Sequence, residues 1–247
     1  GSPRGEQLSP FTNIGDFNGD LQDDFITSGQ STSYILFGPL KVDAVQRVEE
    51  YAEILIDHAA LGRPATHFGD INGDGYADLG FVRRDGADAL VTIVSGGKTV
   101  NAIGNSKSTW PRQWDAIFAN GFLQYLGPDA TALKIRLLNT PVSQAETYSL
   151  MIADFTGDRL ADVLAIADTT LDANSPVAGE YDLGYLFSSE TLNNFTATAG
   201  TPELTTAGQP SAVRTAQRFT KLNSVGAGDV NGDGWQDVLV GGVLLDR

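Results

Sequence analysis

Short apolar runs bounded by turn residues recur along the chain. Phe25-Ile26-Thr27, Leu79-Gly80-Phe81-Val82, Val163-Leu164-Ala165-Ile166 and Val238-Leu239-Val240 are partly β-branched and too short for helices, so they read as buried strands. Each follows a polar, Gly-rich stretch, and apolar residues precede that stretch in turn: Phe11 and Ile14, Phe68, Leu150 to Ile152, and Val225. Second strands follow the first three runs, at Ser33–Gly38, Leu90–Gly96 and Gly184–Ser188. Tyr51–Ile56 is a candidate outer strand. One stretch breaks the pattern: Trp114, Phe118, Phe122 and Tyr125 recur at helical spacing, which predicts a short amphipathic helix.

The polar stretches are a repeat. Asp16–Asp24 reads DFNGDLQDD, Asp70–Asp78 DINGDGYAD, Asp154–Asp162 DFTGDRLAD and Asp229–Asp237 DVNGDGWQD. All fit D-x-[N/T]-G-D-x-x-x-D, and their first positions lie 54, 84 and 75 residues apart. Those intervals suit units of about four short strands. A single such antiparallel sheet cannot bury both faces, whereas sheets packed radially can, which is the logic of a β-propeller. The longest interval carries a surplus that the spacing places at 98–141.

The loop chemistry points to a hard cation. Calcium takes six to eight oxygen ligands, and a tight loop can aim side chains 1, 3 and 5 at one point. The candidate ligands are Asp16, Asn18, Asp20, Gln22 and Asp24; Asp70, Asn72, Asp74, Tyr76 and Asp78; Asp154, Thr156, Asp158, Leu160 and Asp162; and Asp229, Asn231, Asp233, Trp235 and Asp237. Position 7 in each set would offer its backbone carbonyl, and the carboxylate at position 9 would close the site. An EF-hand needs a bidentate Glu at position 12 and flanking helices. Position 12 here is Thr27, Phe81, Ala165 or Val240, inside the apolar runs. Glycine at position 6 is replaced by Leu21 and Arg159, and Thr156 replaces Asn at position 3, so the loops at Asp70 and Asp229 rank first and that at Asp154 last.

Phe68–Gly75, Gly228–Gly234 and Ser33–Gly38 resemble FG-GAP repeats, which build the calcium-binding propellers of integrin alpha chains and of many surface proteins. The resemblance covers the four loops and their following strands. It implies an all-β fold, a β-propeller of four-stranded antiparallel blades, of which this chain holds about four units, a partial propeller completed by another chain or segment. It further implies bound Ca2+, an extracellular or cell-surface location, and a non-catalytic adhesion or ligand-binding role with a protein or carbohydrate partner. A lectin-like propeller and an accessory domain of a secreted hydrolase are the alternatives.

Composition narrows the rest. The 247-residue chain has no cysteine, which excludes disulfides, thiolate metal sites and cysteine nucleophiles. A formal charge of −15 argues against a nucleic-acid partner. No apolar run reaches the ~18 residues of a membrane span, so membrane insertion is not expected. His58 and His67 sit in no recognisable catalytic spacing, and no G-x-S-x-G elbow occurs. Asn194-Phe195-Thr196 is a glycosylation sequon.

Overall fold

The computed structural model describes residues 7–40, 48, 52–59, 61–97, 132–137, 148–171, 181–196, 203–205, 211–215 and 219–244. Over these the protein is all-β with one short helix, arranged as four successive sheets.

The first sheet runs β1 (Thr12–Gly15), β2 (Asp24–Ser28), β3 (Thr32–Leu36) and β4 (Ile54–Asp57), each antiparallel to the one before. The second is built from β5 (Arg63–Pro64), β6 (Leu79–Asp85), β7 (Asp88–Val94) and β8 (Ala132–Leu137). The third joins β9 (Tyr148–Ala153), β10 (Asp162–Leu171) and β11 (Tyr181–Phe187) to β13 (Ser211–Thr215). The fourth is the hairpin of β14 (Phe219–Gly228) and β15 (Asp237–Leu244). The helix α1 (Ser189–Thr196) leaves the end of β11, and the glycosylation sequon falls within it.

The apolar runs predicted as buried strands are the starts of β2, β6, β10 and β15, and the second strands are β3, β7 and β11. Position 12 of each acidic loop lies within a strand, which removes the EF-hand geometry. Two features depart from the sequence expectation. The stretch 98–141, read as surplus, contains β8, the fourth strand of the second sheet; the expected aromatic helix lies outside the described residues. Beyond β8, the short strand β12 (Glu203–Thr205) pairs with it in parallel, so the second sheet gains a fifth strand from the connection between β11 and β13 of the third. Register patterns do not reveal such an exchange, because a three-residue strand carries almost no periodicity.

Alternation along each strand decides which sheet it faces. In β10, Val163, Ala165 and Ala167 pack toward the second sheet with Val91, Ile93 and Ile135. Leu164 and Ile166, on the opposite face, pack with Val225, Val238 and Val240 of the fourth. Leu79 and Phe81 of β6 close on Ile26, Ile35 and Ile54 of the first sheet. Each gap between consecutive sheets therefore holds its own core, as expected when strands alternate between two buried faces. The outer face of the first sheet is covered by the chain itself: Leu8, Val48 and Ala52 lie over Tyr34 and Leu36.

Candidate metal centres

All four acidic loops have the same backbone fold, written by side chain to backbone hydrogen bonds. The carboxylate at position 1 accepts from the N–H of position 4 through Oδ1: Gly19 and Gly73 at 2.7 Å, Gly157 and Gly232 at 2.6 Å. Its Oδ2 accepts from position 6, at 2.9 Å from Leu21, 2.8 Å from Gly75, 2.9 Å from Arg159 and 2.9 Å from Gly234. The carboxylate at position 5 accepts from the N–H of position 7, donated by Gln22, Tyr76, Leu160 and Trp235. These nested side-chain turns explain why Asp and Asn, which bond readily to nearby backbone, occupy alternate positions.

The nesting demands left-handed backbone at two places. At position 4, φ is +77° for Gly19, +78° for Gly73, +78° for Gly157 and +77° for Gly232. At position 6, φ is +86° and +91° for Gly75 and Gly234, and Leu21 and Arg159 are held at +68° and +73°. The two non-glycine loops thus keep the fold of the glycine loops. The cost is local strain that L-residues normally avoid, of about 1–2 kcal/mol each.

Position 9 has a part that spacing alone does not disclose. Asp24, Asp78 and Asp162 are fully buried. In each, Oδ2 accepts from the N–H of position 2: Phe17 at 2.9 Å, Ile71 at 2.8 Å and Phe155 at 2.9 Å. Oδ1 accepts from the residue just past the third strand: Gly38 at 3.0 Å, Gly96 at 3.0 Å and Ser189 at 2.8 Å. The carboxylate therefore ties the loop to the end of the next hairpin. In the fourth loop Asp237 takes the N–H of Val230 at 3.0 Å in the same way.

The electrostatics are those of crowded anions. Burial pushes Asp78 up to about 7, although the N–H groups of Ile71 and Gly96 pull it down; the carboxylates of Asp74 and Asp70 add to the rise. Asp24 is pushed up to about 6, again by burial first, with Asp20 contributing. Carboxylates 1, 5 and 9 of one loop are thus close enough to repel one another, a repulsion that a cation would relieve.

The donor set suits a hard ion. Carboxylate, amide and carbonyl oxygens are present without nitrogen or sulfur donors. Carboxylates at positions 1 and 5 retain acceptor capacity beyond the bonds described, and position 3 offers an amide oxygen in three loops. In those loops Asn18, Asn72 and Asn231 lean on Asp20, Asp74 and Asp233 through Nδ2, at 3.3, 3.1 and 2.9 Å. The third loop differs. Thr156 turns its hydroxyl onto Asp162 at 3.3 Å, and the Ser189 hydroxyl takes up Asp158 at 2.5 Å. The Thr156 hydroxyl and one oxygen of Asp158 are thus engaged by the protein in this loop. Among the described residues, no group of three or more His, Asp or Glu side chains is gathered closely enough to hold a metal ion by those side chains alone.

The loops are also joined to one another. Position 8 of each later loop donates its N–H to the carbonyl of position 1 in the loop before: Ala77 to Asp16 at 3.0 Å, Ala161 to Asp70 at 2.7 Å and Gln236 to Asp154 at 3.2 Å. Leu160 packs against Gly73 and Trp235 against Gly157. The four loops form one continuous rim.

Beyond the rim, the inner strands border a groove of about 810 Å³. Its walls include Thr12, Ser28, Thr66 and Ser149, with His58, Arg63 and Lys221. His58 bonds Ser33 at 2.8 Å and the Gln30 carbonyl at 3.2 Å, and His67 lies 3.1 Å from the Thr66 hydroxyl. No helix among the described residues is long and apolar enough to cross a membrane.

Compared with protein-family models the chain matches none, and none of the curated proteins is significantly similar to it.

Proposed function

We propose that the protein is a calcium-binding β-propeller module of the FG-GAP kind, non-catalytic and displayed outside the cell, where it serves adhesion or ligand recognition. The observation that carries this reading is the identical nesting of four acidic loops, joined position 8 to position 1 into one rim. A rim built only for turns would not need mutually repelling carboxylates, two of which, Asp74 and Asp70, add to the charging cost that burial imposes on Asp78. Asp70, Asn72, Asp74 and the Tyr76 carbonyl would hold the ion in the second loop, and the equivalent residues would do so in the other three. Asp78 would support it from beneath. Four divalent ions would set eight positive charges against a formal −15. They would act on the stability of the rim and not on a reaction.

The test is metal removal. Calcium should raise the melting temperature and EDTA should lower it, with metal analysis returning up to four ions per chain. An unchanged melting curve with no bound calcium would sink the reading.

The groove favours a second reading, a lectin-like propeller, because hydroxyl-bearing and cationic residues from several sheets border one concavity. Binding on a glycan array would support it.

A further inference from the structure

The repeated joint between sheets has a forward half and a backward half. The forward half has four parts: the apolar residue at position 2, the residue two after position 9, the glycine before the loop, and the carbonyl of position 1. In the first two units the next sheet covers all four, and in the third, where Ala153 stands for the glycine, it covers Leu164, half-buries Phe155 and meets the Asp154 carbonyl. Phe17 and Ile71 at position 2 are 0% and 4% exposed. Ile26 and Leu164, two after position 9, are 3% and 1% exposed. A Cβ on Gly15 or Gly69 would lie 3.2 or 2.8 Å from the Cβ of Ala77 or Ala161 in the next loop.

The fourth unit presents the same forward half without a cover. Val230 is 64% exposed and Leu239 56%. A Cβ on Gly228 or Gly232 would meet nothing within 4 Å. Among the described residues, no hydrogen bond reaches the Asp229 carbonyl, whereas Asp16, Asp70 and Asp154 each receive one.

We propose that this face of the fourth hairpin docks one further strand–acidic loop–strand hairpin, with an apolar inner strand and a small residue at position 8 that donates its N–H to the Asp229 carbonyl. The occupant follows from continuity with three joints of one geometry. A second copy cannot supply it. The backward face of the first sheet is already covered by Leu8, Val48 and Ala52, and position 8 there is not a small residue but Asp23, whose carboxylate accepts from Asn13 Nδ2 at 2.7 Å. Two copies placed face to face would set carbonyl against carbonyl. A lipid surface would leave the carbonyl without a donor and meet the carboxylates of Asp229, Asp233 and Asp237. The inference does not depend on calcium, because it uses backbone bonds and apolar contacts.

The chain supplies its own probe: 148–171, the hairpin that covers the equivalent face of the second unit. The full chain would carry this hairpin after Arg247 on a flexible Gly/Ser linker, which raises its effective concentration to about millimolar. A scrambled hairpin on the same linker is the control. The docked hairpin should slow amide exchange at 229–240 at least tenfold and raise the melting temperature, in EDTA as in calcium. Gly228→Val, in open space, and Leu239→Asp, on the uncovered face, should abolish the protection while the untethered chain melts within a few degrees of the parent. Protection equal to that of the scrambled control would overturn the proposal. So would protection indifferent to both substitutions. Concentration-dependent self-association of the untethered chain, lost in Leu239→Asp, would assign the face to a second copy instead. Loss of calcium binding with docking intact would remove the metal reading alone.

Discussion

The N–H of Ala161 donates to the carbonyl of Asp70 across 2.7 Å, which locks the third acidic loop onto the second. The contact leaves no room between the two backbones, and a Cβ on Gly69 would stand 2.8 Å from the Cβ of Ala161. Gly69→Ala should therefore cost about 1–3 kcal/mol through overpacking. Gly228→Ala, the same substitution at the same loop position with nothing within 4 Å, should change stability by no more than about 0.5 kcal/mol. Neither glycine has a positive φ, so the comparison isolates the joint. Urea denaturation of the two variants side by side checks it.

Leu21 and Arg159 hold a left-handed backbone that their loops require, and Leu21 packs on little, being 90% exposed. Leu21→Gly should relieve about 1–2 kcal/mol of strain and lose about 0.5–1 kcal/mol to unfolded-chain freedom. The expected net effect is stabilisation of up to about 1 kcal/mol, read as a rise in melting temperature. Gly75→Leu should move the other way.

Carboxylates 5 and 9 should separate under mutation. Asp74 lies at the exposed edge of its loop, so Asp74→Asn should weaken calcium binding at that loop at least about tenfold and shift metal-free stability by less than about 0.5 kcal/mol. Asp78 is buried between the N–H groups of Ile71 and Gly96. Asp78→Asn puts an amide where two acceptors are needed and should cost the metal-free protein about 1–3 kcal/mol. Calorimetric titration and denaturant melts read the two effects independently.

The metal-free protein should lose stability as pH rises. Asp78 sits at about 7 when folded and ~4 when unfolded, so between those values the folded state binds the extra proton. Its contribution is full below pH ~4 and is lost as pH climbs through about 7; Asp24 behaves likewise up to about 6. Asp85 has the opposite sign. The Arg136 guanidinium at 2.8 Å, with Arg83, holds its carboxyl below the usual range, and its contribution is lost only as pH falls through that lowered value. Melts in EDTA from pH 5 to 8 should therefore show a decline that Asp78→Asn reduces. A curve that rises across that window would contradict it.

Much of the architecture was legible in one dimension. The runs at Phe25, Leu79, Val163 and Val238 are strands; in the first three, apolar residues alternate between two covered faces, whereas the Val238 run covers one face and leaves Leu239 exposed on the other. Loop spacing marked the repeating unit, and the residue at position 12 dismissed the EF-hand. What escaped was non-local. The addition of β12 to the second sheet rests on three residues, and β8 lay inside a stretch that unequal spacing marked as surplus.

Within the candidate site the division is the same. The order of Asp, Asn and Gly along each loop determined the nested turns, since those bonds span two to five residues and need no distant partner. Only the tertiary structure decided the role of position 9. Its second oxygen is met by Gly38, Gly96 or Ser189, residues brought alongside by the antiparallel return of the third strand. The joint between loops likewise exists only once sheets stack, because Ala161 and Asp70 are 91 residues apart in the chain and meet only through packed cores.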